Sequence, residues 1–379
     1  MASNYRKLGD FIEPIELRNS DGSFGEAELR GISVTKEFIE THANLIGVTF
    51  EGYKVVPGCS FAYIPDTSRR GDKIAIAFND GQESLIVSSI CSVFKVSEPD
   101  KLNSEYLNVW FNRSEFDRYA RFKSHGSARE VFDWDQLCVV ELPVPDIETQ
   151  CKIVGIKKCI EARMNSLAEQ NDYLLELATT LFEGALQHSC TEVLFGDVVE
   201  LEDSKRIPLN SRDREQRKGP YPYYGATSIM DYVDDYLFDD IRVLLGEDGT
   251  VITDDGRPVL QYVWGKYWVN NHAHILKASS KYPLEMLYVA LSRTAITHIV
   301  TGAVQMKISQ KNLKNLTLEM PEPDSVEELE PIFAAYRANV EESRKLEELR
   351  DTLLPKLMSG EIDVSKVDVT QLNNHLADY

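Results

Sequence analysis

The sequence predicts an α+β fold in which two β-rich lobes are separated by two long antiparallel coiled-coil helices, as a pseudo-two-fold repeat. Three observations predict it. Short segments recur in the same order along the chain, two heptad-patterned stretches each follow a Pro-x-Pro-Asp string, and the remainder alternates apolar runs with turn residues.

The repeat comes first. Ser104-Glu105-Tyr106-Leu107-Asn108-Val109-Trp110-Phe111-Asn112-Arg113 pairs with Leu284-Glu285-Met286-Leu287-Tyr288-Val289-Ala290-Leu291-Ser292-Arg293, both reading as an amphipathic helix ended by arginine. Gly9-Asp10 recurs as Gly196-Asp197, Gly126 with Leu137 as Gly302 with Leu313, and Pro143-Val144-Pro145-Asp146 as Pro321-Glu322-Pro323-Asp324. The expected organisation is a first lobe at 1–145, a first helix at 146–190, a second lobe at 191–323, a second helix at 324–364 and a tail at 365–379.

In the first lobe, Tyr53-Lys54-Val55-Val56 runs into Pro57-Gly58, and Ile74-Ala75-Ile76-Ala77-Phe78 into Asn79-Asp80-Gly81, with Leu85-Ile86-Val87 beyond. These are strand and hairpin signals. The second lobe repeats them with Val243-Leu244-Leu245 before Gly246-Glu247-Asp248-Gly249, Val259 to Val263, and Tyr267-Trp268-Val269 leading to His274-Ile275-Leu276.

In the first helix Ile153, Ile160, Leu167, Leu174 and Leu181 recur every seven residues, with Ile156 and Leu177 at d. In the second, Ile332, Asn339, Leu346 and Leu353 recur likewise, with Ala335 and Leu349 at d. Arg163, Gln170 and Glu342 also occupy d positions, so the seam is weak alone and its polar members set register. Measured from Pro-x-Pro-Asp, the second helix is one heptad shorter, which preserves the phase of the seam. A first helix of about 35 residues would span roughly 50 Å, more than one turn of duplex DNA, and would act as a ruler.

The chain has 379 residues and a net charge of −20, which at face value opposes nucleic acid, because phosphate contacts need lysine and arginine. About −12 of that charge falls in the helical segments 142–192 and 321–379, so the lobes are nearer neutral. Arg69 to Lys73, Arg118 to Arg129 and Lys205 to Lys218 are locally basic. Neither a signal-peptide apolar core nor a stretch of about 18 apolar residues is present, so a soluble cytoplasmic protein without a membrane partner is expected. The six cysteines never form Cys-x-x-Cys and are expected as reduced structural thiols, without disulfides or zinc.

The first lobe carries Arg30-Gly31-Ile32-Ser33, Tyr53-Lys54-Val55-Val56, Phe61-Ala62-Tyr63, Thr67-Ser68-Arg69, Val87-Ser88-Ser89 and Gly126-Ser127-Ala128-Arg129-Glu130. With these it resembles a target recognition domain of type I restriction-modification specificity (S) subunits. The second lobe looks like another branch of that family through Tyr221-Pro222-Tyr223-Tyr224-Gly225-Ala226, Leu244-Leu245-Gly246-Glu247-Asp248-Gly249 and Gly265-Lys266-Tyr267-Trp268-Val269-Asn270-Asn271-His272-Ala273-His274. The end Leu353-Leu354-Pro355-Lys356-Leu357-Met358-Ser359-Gly360-Glu361-Ile362 is similar to the close of the family's second conserved helix.

The resemblance implies a non-catalytic subunit that reads a bipartite, asymmetric sequence in double-stranded DNA, one half per lobe. It implies two modification (adenine-N6 methyltransferase) subunits docked on the helices, and a recruited restriction subunit. The chain itself would hold no cofactor. S-adenosylmethionine would belong to the modification subunits, and ATP with magnesium to the restriction subunit. The acidity suggests that basic partners supply part of the phosphate contact. The readings set beside this one are a coiled-coil adaptor without DNA readout and a stand-alone DNA-modifying enzyme. The latter lacks support: the chain has neither an Asp/Asn-Pro-Pro-Tyr/Phe strip with a Gly-rich cofactor loop nor a P-loop, since Gly265-Lys266 lacks the upstream glycine and the following hydroxyl.

Arg69, Arg70 and Lys73 lie in a loop between strand-like runs, from which they can reach phosphates or guanine edges. Lys123, Ser124, Ser127 and Arg129 flank Gly126, and Arg129 could equally pair with Glu130. Tyr223, Tyr224, Gly225, Thr227 and Ser228 form a polar, aromatic turn suited to a groove, although either tyrosine could pack in the core. Arg257 and Lys266 are expected at the surface. His272 and His274 have the alternation of two metal ligands, but no third ligand is near in sequence, so no metal is expected.

Overall fold

The computed structural model describes residues 5–41, 45, 47–68, 73–124, 130–279, 281–302 and 305–367. It divides into two compact units, residues 1–166 with 343–379 and residues 167–342. The division cuts both long helices, so each unit holds one lobe and a part of each helix.

Each lobe is built on a four-stranded antiparallel sheet. In the first the order is Ile12–Pro14, Ser92–Val96, Ser60–Tyr63, Ile76–Asn79; in the second it is Val199–Leu201, Ala273–Ala278, Arg242–Gly246, Leu260–Val263. The registers correspond. Phe61 stands between Phe94 and Phe78 as Val243 stands between Leu276 and Tyr262. The apolar residues of these runs are buried, and the helix from the repeat packs with them, Ser104–Phe111 in one lobe and Leu284–Arg293 in the other.

The short repeated motifs turn out to be one closing device used twice. Leu8 N donates to Val140 O at 2.8 Å, and Phe195 N donates to Leu316 O at 2.8 Å. The adjoining short helices Trp134–Cys138 and Gln310–Lys314 are capped by Asp133 and Ser309, whose side chains accept from Gln136 N and Asn312 N. Gly9 and Gly196 lie against those helices: a Cβ on Gly9 would come within 2.8 Å of Cys138 Cβ, and one on Gly196 within 3.1 Å of Lys314 O. Leu137 and Leu313 are both fully buried beside them, while Gly126 lies outside the described residues. Finally Tyr5–Lys7 pairs with Glu141–Pro143, and Thr191–Leu194 with Thr317–Met320.

Around this skeleton the lobes differ. The first adds the ladders Gly31–Ile32 with Phe38–Ile39 and Lys54–Val56 with Leu85–Val87, and the helix Ser114–Ser124. The second adds a four-stranded sheet ordered Ile229–Val233, Lys218–Tyr224, Lys266–Val269, Phe238–Asp239.

The first long helix is Ile147–His188, 42 residues, about 63 Å at 1.5 Å per residue, longer than the sequence suggested. The second is Leu329–Ser359, 31 residues. Four of the eleven missing residues lie at its start, where 325–328 stay non-helical, and the other seven are the missing heptad. In the second unit the last turns of the first helix (Ala178, Phe182) and the first turns of the second (Leu329, Ile332, Phe333) enter one core, so the two run antiparallel there.

Ile153, Ile160, Leu167, Ile332 and Leu346 are buried; Leu174, Leu181 and Leu353 are half-buried. The strict heptad does not hold throughout. Leu177 and Leu349 are each 46% exposed and Ala335 is exposed, whereas Asn171, Ala178 and Phe182 are buried. A straight helix drifts about 20° per heptad, so beyond Leu167 the buried stripe moves from the d to the e positions. No described helix is long and apolar enough to cross a membrane. The six cysteines are free, and Cys59, Cys151 and Cys190 are exposed rather than packed in the interior.

Candidate nucleic-acid interface

In the first lobe the structure joins two segments that are distant in sequence. Thr67 N and Oγ1 both donate to Glu130 O at 2.9 Å, and Arg121 Nη1 donates to Glu130 Oε2 at 2.6 Å. Buried Asp117 accepts from Ile74 N at 3.1 Å and from Lys36 Nζ at 2.6 Å. Lys36 also donates to Phe111 O at 2.7 Å; burial pulls its ammonium below the usual lysine value, and Asp117 partly opposes this. These buried bonds hold helix Ser114–Ser124 beside Lys73. Its outer face carries Arg118, Tyr119, Phe122 and Lys123, with Lys123 Nζ 5.6 Å from the Tyr119 ring centre and Phe122 74% exposed.

Lys73, next to Ile74, and Lys123, on the outer face of the helix, are both exposed. Ser124 is not available there: it is buried, and its hydroxyl donates back to Ala120 O at 2.6 Å. Arg69, Arg70, Ser127 and Arg129 lie outside the described residues. Phe122 escaped the sequence reading. Its signal is the i,i+4 pairing of Arg118 with Phe122 beside that of Tyr119 with Lys123, which sets aromatic and cationic groups on one helix face.

In the second lobe, Tyr223 and Tyr224 are interior residues. Leu209 N donates to Tyr223 Oη at 2.9 Å, Arg214 lies 5.4 Å from the Tyr223 ring centre, and Tyr224 meets Tyr267 edge-on at 5.8 Å. Gly225 is buried as well, where a Cβ would come within 2.6 Å of the Met230 side chain. Thr227 and Ser228 are exposed in the turn closed by Gly225 N donating to Ser228 O at 2.8 Å. The three strings that carry the resemblance converge on this rim. Asn270 N donates to Tyr224 O at 3.0 Å, His272 N to Asn270 Oδ1 at 2.7 Å, and Glu247 N to His272 O at 2.8 Å, while His272 pairs with Asp248. Met230, 52% exposed, and Asn271 complete the rim. Arg257 and Lys266 are exposed, Arg257 paired with Asp255 at 2.9 Å and Lys266 lying over Tyr236.

The two histidines go separate ways, and His274 acquires the neighbours that the sequence did not reveal. Asp203, Glu247 and His274 form a cluster of metal-ligand type. Its atoms are already engaged. His274 Nδ1 faces Asp203 Oδ2 at 2.6 Å and Nε2 faces Ile308 O at 2.9 Å; Asp203 also accepts from Ile275 N and Gln310, and Glu247 from Arg206 at 2.6 Å and Lys307 at 3.2 Å. The arrangement is a satisfied polar core that supports the rim from beneath.

Among known proteins, the family model described as type I restriction modification DNA specificity domain matches residues 190–349. A putative type I restriction enzyme specificity subunit of Haemophilus influenzae is 29% identical over 142 residues, which is 38% of this chain and 36% of that protein. The MjaIX type I restriction enzyme specificity subunit of Methanocaldococcus jannaschii is 21% identical over 309 residues, 71% of each chain. The crystal structure of a type I restriction-modification S subunit from M. genitalium shares the fold, with a TM-score of 0.53 at 15% identity over 93% of this chain and 95% of that one. The matched domain spans the second lobe and the start of its long helix, and the two relatives agree with the resemblance: residues 190–349 carry a type I restriction modification DNA specificity domain, and the chain is similar to specificity subunits of type I restriction enzymes.

Proposed function

We propose that this chain reads a bipartite, asymmetric duplex sequence, one half-site per lobe, and that its long helices scaffold methyltransferase subunits, which bind S-adenosylmethionine and perform the methylation. It has no catalytic role of its own. A restriction subunit that uses ATP and magnesium completes the larger assembly. The observation that carries this reading is the shared sheet order and register beneath two unlike rims. A common skeleton repeats the mode of presentation, while different rims present different groups, Lys73, Arg118, Phe122 and Lys123 in one lobe and Thr227, Ser228, Asn271 and His272 in the other. Such groups can reach phosphates and base edges. The net charge of −20 agrees with partners supplying part of the phosphate contact.

The test is methyladenine sequencing of a host that expresses the chain with its modification subunits. A single split motif with an unread spacer is expected. Methylation scattered over adenines that share no split motif would sink the proposal, as would methylation by the purified chain alone.

A further inference from the structure

The repeat pairs Glu105 with Glu285, and in each unit that glutamate reaches from the lobe to a cation on the long helix. In the first unit Lys158 Nζ lies 2.5 Å from Glu105 Oε2, with the side chains 62% and 39% exposed. In the second the cation is Arg337, its side chain only 19% exposed against 10% for Glu285, and a third group joins. Tyr262 donates its hydroxyl proton to Glu285 Oε1 at 2.5 Å and accepts from Arg337 Nη1 at 2.6 Å. Phe78 occupies the corresponding strand position in the first lobe and has no hydroxyl to offer.

The second joint extends further along its helix. Phe333 packs on Tyr262 with ring centres 4.9 Å apart, and Glu341 Oε1 accepts from Trp264 Nε1 at 2.8 Å. Phe333, Arg337 and Glu341 are spaced i, i+4, i+8, so they share one helix face over about 12 Å. Attachments spread along a face fix an angle. The first lobe has a second tie as well, where buried Gln150 accepts from Asn103 N and donates to Lys101 O, each at 2.8 Å, so there the Lys158 pair adds little, whereas in the second lobe Tyr262 stands at the centre of the row. Burial also withdraws the bonds of Tyr262 from solvent competition, which the exposed Lys158 pair cannot avoid.

We infer that the Arg337–Tyr262–Glu285 lock sets the angle at which the second lobe sits on its long helix, and thereby makes these residues determinants of half-site spacing. The inference rests on the bipartite reading proposed above. A lobe of this size has a radius of gyration of about 14 Å, so a tilt of about 14° moves its rim by about 3.4 Å, one base-pair step. Arg337, Tyr262 and Glu285 are positioning residues that need not touch DNA to decide which spacer is accepted.

The experiment expresses the full chain with its modification subunits, as wild type, Tyr262→Phe, Arg337→Met and Lys158→Gln, and reads methyladenine genome-wide. Tyr262→Phe keeps the ring packing, so it carries the test should Arg337→Met fail to assemble. The lock predicts unchanged half-sites, with spacers one base pair longer and shorter gaining about tenfold in methylation relative to the original motif, an energy change of about 1.4 kcal/mol. Lys158→Gln should stay within about twofold of wild type, as expected for an exposed pair. An unchanged spacer in Tyr262→Phe overturns the inference, as do altered half-site bases at a fixed spacer or equal broadening by Lys158→Gln. Failure of the bipartite reading itself would show separately, as the lack of a split motif in the wild-type arm.

Discussion

Asn339 on the second long helix donates from Nδ2 to Asn171 Oδ1 on the first, at 3.0 Å. Asn339 holds an a position of the heptad, and its amide can be satisfied only when the two helices lie in one register. Asn171→Ala is expected to lower stability by about 1–2 kcal/mol, because it leaves a partly buried amide unpaired. Asn171→Leu combined with Asn339→Leu should recover that loss while loosening register. Urea unfolding measures the first effect, and cysteine cross-linking between the helices the second.

Removing Leu167 to Tyr173 deletes one heptad and takes Asn171 with it, so Asn339→Leu should accompany the deletion. The buried stripe stays in phase, because Leu174 then falls where Leu167 stood. Both half-sites are expected to persist, with the spacer shortened by about three base pairs, since seven residues rise about 10 Å. A methylated motif with its original spacer would refute the ruler.

The polar core of the second lobe predicts a sharp acid limit. Burial alone would raise the Asp203 carboxyl, but the hydrogen bond and charge of His274, the Ile275 amide and Arg206 more than offset it and hold the group below the usual aspartate value. Glu247 is likewise held low against burial, chiefly by Arg206. A depressed carboxyl contributes stability above its unfolded value, near pH 4, and that contribution is lost as the pH falls through the folded value. Unfolding measured by urea from pH 3 to 7 should show this loss. Asp203→Asn is expected to cost about 3–5 kcal/mol at neutral pH and to flatten the acid limb.

The face of the first lobe predicts a division between contact and support. Lys73→Ala and Lys123→Ala in the assembled complex should each reduce the slope of log affinity against log salt by about 0.9, the signature of one lost phosphate contact. Ser124→Ala and Tyr223→Phe should leave that slope unchanged and cost about 1 kcal/mol of stability, because both hydroxyls bond inside the protein. An unchanged slope for both lysine variants would remove this face from the interface.

Legibility followed the range of the interactions. Gly9 and Gly196 and the a positions Ile153 and Leu167 could be read from the chain, because turns and helix faces are settled by residues a few places apart. Which tyrosines face the solvent could not. Tyr223 and Thr227 lie four residues apart, and only the packing of Arg214, Leu209 and Trp268 around the strand Lys218–Tyr224 turns one inward and leaves the other exposed.

By itself the sequence determined the duplicated lobe, the two helices and their relative lengths, and the difference between the rims, since these are matters of local pattern and order. The tertiary structure decided the rest. It drew Asp203 and Glu247 to His274, set Phe122 outward beside Lys123, moved the buried stripe off Leu177, and gave Glu285 a buried tyrosine where Glu105 has only an exposed lysine. The reason is physical. Burial and hydrogen-bond partners come from chain segments tens of residues apart, and no local pattern records which of them will meet.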